Sequence, residues 1–207
     1  MVSAIFGISA LLALAYGAIW VARPVSDLRS GLKTGATFGL IIIAMFWDLP
    51  LWATALAFGA LGDWFLSREP EAGLLPGLIA FTIGHCIYLW ILWPLAGPAP
   101  IVGVGVLIVL SFVVMVRLWG ELGILRIPVA FYTAISFVLG CFALGLPQEA
   151  LILTAGVLSF ILSDVILAFE LFVMKEDTLL KRIACRAVWL FYWGGQAAIL
   201  YGASALT

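Results

Sequence analysis

Histidine is nearly absent from this chain of 207 residues, His85 being the only one. A single imidazole cannot make a three-histidine zinc site, and the three cysteines, Cys86, Cys141 and Cys185, have no metal-ligand spacing that would replace it. They fall in or beside apolar runs, so they are expected to be small core residues without disulfides. Charge is also scarce, at 10% of residues with a net of -1, which gives no footing for nucleic-acid binding. No G-x-S-x-G elbow is present, so Ser163 is a poor hydrolase nucleophile. There is no glycine-rich phosphate loop, long linker or low-complexity tract. The first apolar run lacks a basic leader and a cleavage site, and is read as a retained helix.

What is abundant is apolar surface. Hydrophobic residues make up 65% of the chain, more than a soluble protein of this size could hide. The fold expected is all-α: a polytopic membrane protein, one integral membrane domain over 1–207. Eight candidate spans fall near 2–22, 32–48, 51–67, 73–94, 100–117, 126–146, 149–173 and 186–205. The second is the weakest, being short and opening with Lys33. All ten basic residues lie in or beside odd-numbered connections, from Arg23, Arg29 and Lys33 to Lys175, Lys181, Arg182 and Arg186. The positive-inside rule then places both termini outside the cytoplasm. This retained bias suits a bacterial inner membrane, and a eukaryotic endomembrane is the alternative.

Two carboxylates interrupt the apolar runs. Asp63 follows Gly62 in the third span, and Asp164 follows Ser163 in the seventh. A charge at mid-membrane costs roughly 2.5–3.5 kcal/mol on insertion scales, so such residues face a bundle interior or a wet cavity. With both helices running inward, both aspartates lie in the inner half, and Asp164 is the deeper. Aligning Asp63 with Asp164 also pairs Leu66 with Leu167 and Glu69 with Glu170, an offset of 101 residues that would suit a parallel four-plus-four helix repeat.

Other polar residues recur at helical spacing. Gly77, Phe81, His85 and Tyr88 share one face, as do Tyr132 with Ser136, Gly156 and Phe160 with Asp164, and Tyr192 with Gln196. If the faces converge, they enclose two carboxylates, an imidazole, phenols and an amide, with Lys33 at the inner mouth. Each has a plainer alternative. Asp63 could cap or snorkel near a helix end, and Asp164 and His85 could be packing groups. Tyr88 and Tyr192 could be interfacial aromatics, Gln196 interhelical glue and Lys33 a charge anchor. Glu69, Glu71, Glu170, Glu176 and Asp177 are expected to be solvated rim charges.

The runs GALGDWFLSREP, GLIAFTIGHCIYL, GVLSFILSDVILAF and FYWGGQAAILYGA resemble, in order and spacing, the motifs of the YhhN-type lysoplasmalogenases. The resemblance runs from about Lys33 to Gly202; at the mouth of the second helix Thr34 stands where that family has proline. It implies hydrolysis of the vinyl ether of a lysoplasmalogen to a fatty aldehyde and glycerophosphocholine or glycerophosphoethanolamine. It assigns catalysis to Asp63 and Asp164, and a place in the site to Lys33, His85, Tyr88, Tyr192 and Gln196. Tyr132 and Ser163 join the candidate substrate-binding residues from their positions. No metal or organic cofactor is expected; the expected partners are a lysophospholipid and membrane lipids.

The chemistry suits two carboxylates independently. Protonating the β-carbon of a vinyl ether gives an oxocarbenium ion, as glycosidases form with a carboxylic acid and a carboxylate. By depth, Asp164 is expected to be the acid and Asp63 the base or cation stabiliser. Lys33 is expected to meet the substrate phosphate. The rival functions are a proton-coupled transporter, since buried carboxylates also relay protons, and a non-catalytic lipid-binding subunit.

Overall fold

Punctuation residues set where the helices begin and end. In the computed structural model, which describes residues 1–68 and 70–206 with the side chains of Pro70 and Glu71 left undescribed, there are eight α-helices. They are α1 Val2–Ala15, α2 Asp27–Phe46, α3 Pro50–Leu66, α4 Pro70–Leu92, α5 Ile101–Leu118, α6 Arg126–Leu144, α7 Leu151–Phe172 and α8 Leu179–Ser204. No strand occurs among the described residues. Five apolar stretches are long enough to cross a membrane by length and composition: Val2–Trp20, Ala72–Leu92, Ile101–Leu118, Gly123–Leu144 and Gln148–Phe172. The helices α2 and α8 each open with a charged turn, and α3 has only 17 residues.

Ser26 caps α2 by accepting the Arg29 amide at 3.3 Å. The helix closes where Asp48 adopts φ 56, which lets the Leu49 amide reach back to the Ala44 carbonyl at 2.9 Å. Pro50 then opens α3, where its missing amide costs nothing. Thr178 caps α8, accepting the Lys181 amide at 3.2 Å. That cap starts α8 seven residues before the expected 186, because a well-capped polar turn extends the helix past its apolar part. The first span is also less regular than expected: α1 runs into a π-helical turn, Tyr16–Trp20.

The chain divides into two compact units, Met1–Tyr88 and Leu89–Thr207. In the first, small residues bring α1 against α2: Ser9 donates to the Ala36 carbonyl at 2.6 Å, and a Cβ on Gly39 would come within 2.6 Å of the Ser9 Cβ. Arg29 fastens one end of this unit. Its guanidinium donates to the carbonyls of Ser67 (3.2 Å) and Val21 (3.4 Å) and lies over the Tyr16 ring at 5.9 Å. Arg29→Ala should cost on the order of 1 kcal/mol. Arg29→Lys should recover little of it, because an ammonium cannot reproduce the planar fork. Thermal unfolding in detergent checks this, and full rescue by lysine would rule out the fork.

In the second unit α7 and α8 run antiparallel in tight contact. A Cβ on Gly156 would lie 2.6 Å from the Ile199 amide nitrogen and 2.9 Å from the Gly195 carbonyl oxygen. Further along, Ser159 donates to the Phe191 carbonyl at 2.9 Å, and Ser163 to that of Val188 at 3.0 Å. Small residues and hydroxyls are how helices approach closely where no hydrophobic effect drives them together. The cysteines depart from expectation. Cys86 is exposed on the outward face of α4, and Cys141 and Cys185 are half-buried. All three are free thiols.

Candidate functional site

The first centre lies in the Met1–Tyr88 unit and is built on Asp63, which is 1% exposed. One turn from the end of α3, it is met by two residues of α2 spaced by four, so both point the same way. Lys33 Nζ stands 3.2 Å from Asp63 Oδ1, and Thr37 Oγ1 donates to Oδ2 at 2.8 Å. One carboxylate oxygen therefore has an ion-pair partner and the other a hydrogen-bond donor. Capping and snorkelling are excluded as accounts of Asp63, since the side chain is buried and held from a neighbouring helix.

The face of α4 packs on α3 as its spacing predicts. Gly77, Phe81, His85 and Tyr88 are all buried. Gly62 allows this approach, because a Cβ there would come within 2.6 Å of the Phe81 ring. His85 is fully buried, and its Nδ1 lies 2.9 Å from the Phe81 carbonyl oxygen. A carbonyl can only accept, so Nδ1 carries the proton of that bond. Tyr88 is 1% exposed and packs at 5.8 Å against Trp52. It is not an interfacial aromatic.

The second centre lies in the Leu89–Thr207 unit around Asp164, which is half-buried on α7. The Tyr132 phenol of α6 donates to Asp164 Oδ2 at 2.7 Å, and Ser136 is buried one turn along the same helix. Tyr132, expected to touch substrate, thus directly holds the carboxylate. Ser163 spends its proton on the Val188 carbonyl, which positions α8 beside the aspartate. Tyr192 is buried, with Phe160 edge-on at 5.4 Å and Trp189 at 5.9 Å. Gln196, one turn further, is also buried.

Of the expected rim charges, Glu176 and Asp177 are exposed. Glu69 lies outside the described residues, as does the side chain of Glu71. Glu170 does not belong with them. It is 9% exposed, pairs with Lys181 at 3.5 Å and accepts from the Cys185 thiol at 3.5 Å. The early start of α8 is the reason, since it carries Lys181 and Cys185 alongside the end of α7. Burial pulls the Lys181 ammonium down, but Glu176 and Glu170 more than offset this and hold it above the usual lysine range.

Sequence reasoning missed Thr37. Its signal was there, four residues after Lys33 on the helix preceding an aspartate. A threonine in a helix usually bonds back to its own backbone, so spacing alone did not single it out.

Comparison with known proteins adds one likeness over most of the chain and others over less than half of it. A phosphatidate cytidylyltransferase of Mycobacterium bovis is 29% identical over 94 residues, 44% of this chain and 31% of the relative. Two proteins of the same name from Mycobacterium tuberculosis strains match over 94 residues at 29% identity, again 44% of this chain and 29% of each relative. The chain thus spans less than a third of the length of these curated relatives. No solved structure matches it. The model of the YhhN family matches residues 28–203, a range that contains every candidate residue from Lys33 to Gln196. The chain belongs to the YhhN family.

Proposed function

We propose that this protein is a lysoplasmalogenase-type ether hydrolase, acting within the membrane on the vinyl ether of a lysophospholipid. The observation that carries this reading is the buried carboxylate of Asp63, engaged at both oxygens by an ammonium and a hydroxyl. An ion kept at such a cost in an apolar helix fits a reaction that passes through a cation. Family membership is consistent with it.

Asp164 delivers a proton to the β-carbon of the vinyl ether, and positive charge develops on the adjacent carbon and the ether oxygen. Asp63 stabilises that cation and takes a proton from the water that attacks it. The hemiacetal then collapses, its hydroxyl proton leaves, and the glycerol oxygen departs as an alcohol. One water is consumed, and the products are a fatty aldehyde and a glycerophosphodiester. Both carboxyl groups end where they began after one proton returns to Asp164. The chain crosses a bacterial inner membrane eight times, with both termini outside. The distribution of its ten basic residues supports this.

The experiment is aldehyde release from a lysoplasmalogen by the detergent-purified chain. Turnover lost in Asp63→Asn and Asp164→Asn supports the reading. No turnover by folded protein, with substrate flux in liposomes instead, supports transport.

Lys33 distinguishes two uses of its charge. Held at Asp63, it should act mainly on the chemical step, so Lys33→Ala should lower kcat more than tenfold with a smaller change in KM. A rise in KM at unchanged kcat would instead give Lys33 the substrate phosphate.

A further inference from the structure

Thr37 contributes a feature that no part of the aspartate motif accounts for. It is fully buried in α2, and its hydroxyl reaches across to α3 rather than back along its own helix. A hydroxyl has one proton to give, and this one goes to Asp63 Oδ2 at 2.8 Å. Lys33 meets the other oxygen at 3.2 Å. A proton on Oδ2 would displace the Thr37 bond, and one on Oδ1 would meet the ammonium. The two donors also pin the plane of the carboxyl group, since they approach its two oxygens from one face of α2. A β-branched side chain in a helix has few rotamers, so the hydroxyl is already aimed.

We propose that Thr37 is a positioning residue: with Lys33 it forms a buried Lys33–Asp63–Thr37 triad that keeps Asp63 ionised and fixes its orientation. This rests on Asp63 being the ionised partner in the reaction proposed above. Other titratable groups near this carboxylate among the described residues come from α2 and α4. From α2, Arg29 lies one turn beyond Lys33 and is committed to the Ser67 and Val21 carbonyls. From α4, the titratable groups on the face packed against α3 are His85, whose Nδ1 bonds the Phe81 carbonyl, and Tyr88. Lys33 is an ion-pair partner of Asp63 at Oδ1, and Thr37 adds a hydrogen bond at Oδ2.

The test uses Thr37→Val, which keeps the shape and removes the proton, and Thr37→Ser, which restores it. Infrared spectra of the purified full-length protein locate the Asp63 carboxyl band as the one lost in Asp63→Asn. In Thr37→Val the protonated form of that band should persist to a pH about one unit higher than in the wild type. Thr37→Ser should titrate as the wild type does. In turnover, the acid limb of the pH–rate profile should move up by the same amount, a roughly tenfold loss below the limb, seen in kcat rather than KM. A band and a limb that stay put in Thr37→Val overturn the proposal. So does a shift that serine fails to reverse, which would mark general loosening. If the wild type releases no aldehyde, the reaction falls, and the infrared titration still decides the role of Thr37.

Discussion

Asp63→Asn and Asp164→Asn should each lower aldehyde release by about 10²–10⁴-fold, the usual contribution of one positioned acid or base. Both substitutions are nearly isosteric, so the protein should still fold, but the electrostatic consequences differ. Asparagine at 63 leaves the Lys33 ammonium, 86% buried by its side-chain exposure of 14%, without its counter-ion. Stability should fall as well, because removing one member of a buried ion pair strands the other. Asparagine at 164 still accepts from the Tyr132 phenol through its amide oxygen, so the loss there should be confined to the chemistry.

That contrast separates the two roles. In the proposed reaction Asp63, tied to an ammonium and a hydroxyl, is the ionised partner and Asp164 the proton donor. In the pH–rate profile, Asp63→Asn should remove the acid limb and Asp164→Asn the alkaline limb. Disappearance of the same limb in both variants would refute this division of labour. Equal aldehyde release by all three proteins would remove both aspartates from the mechanism.

Much of this was legible because helical spacing is rigid. The face Gly77, Phe81, His85, Tyr88 is buried as its steps of four, four and three require, and Gly62 gives the close approach that a glycine beside a buried aspartate implies. Helices α3 and α5 end within a residue or so of their sequence-based limits, since proline and apolar length mark them. What escaped depends on rotation of one helix against another. The pairing of Thr37 with Asp63 and of Tyr132 with Asp164 needs α2 and α6 turned toward their successors, and no periodicity encodes that angle. Glu170 escaped for a different reason. Its burial follows from a threonine cap that lengthens α8, and an acidic residue near a helix end otherwise reads as solvated. The two units nevertheless share a pattern. In each, the third helix carries the aspartate and the second supplies its hydroxyl donor, although Thr37 and Tyr132 are 95 residues apart and so fall outside the 101-residue offset.

The α7–α8 seam should be the part of the protein least tolerant of added volume. Leu153 faces Gly202, Gly156 faces Gly195 and Ile199, Ser159 faces Phe191, and Ser163 faces Val188, an unbroken antiparallel register. The atoms nearest a new Cβ on Gly156 belong to backbone, so no side-chain rotation can make room. Gly156→Ala should therefore destabilise the protein by about 1–3 kcal/mol, the usual cost of overpacking, even though alanine is the better helix former by about 1 kcal/mol. Gly194→Ala is the control. It lies beside Gly195, but its Cβ would meet nothing within 4 Å, so helix propensity should act alone and stability should hold or rise. Thermal unfolding in detergent compares the two, and equal midpoints would mean the seam is looser than the geometry shows. In the proposed reaction the seam also bears on catalysis, because Ser163 and the Phe160–Tyr192 contact lie on it within one turn of Asp164. Prising α8 away from α7 should move Tyr192 and the neighbour of the aspartate together. Gly156→Ala should then lose turnover at temperatures where it remains folded, while Gly194→Ala keeps it.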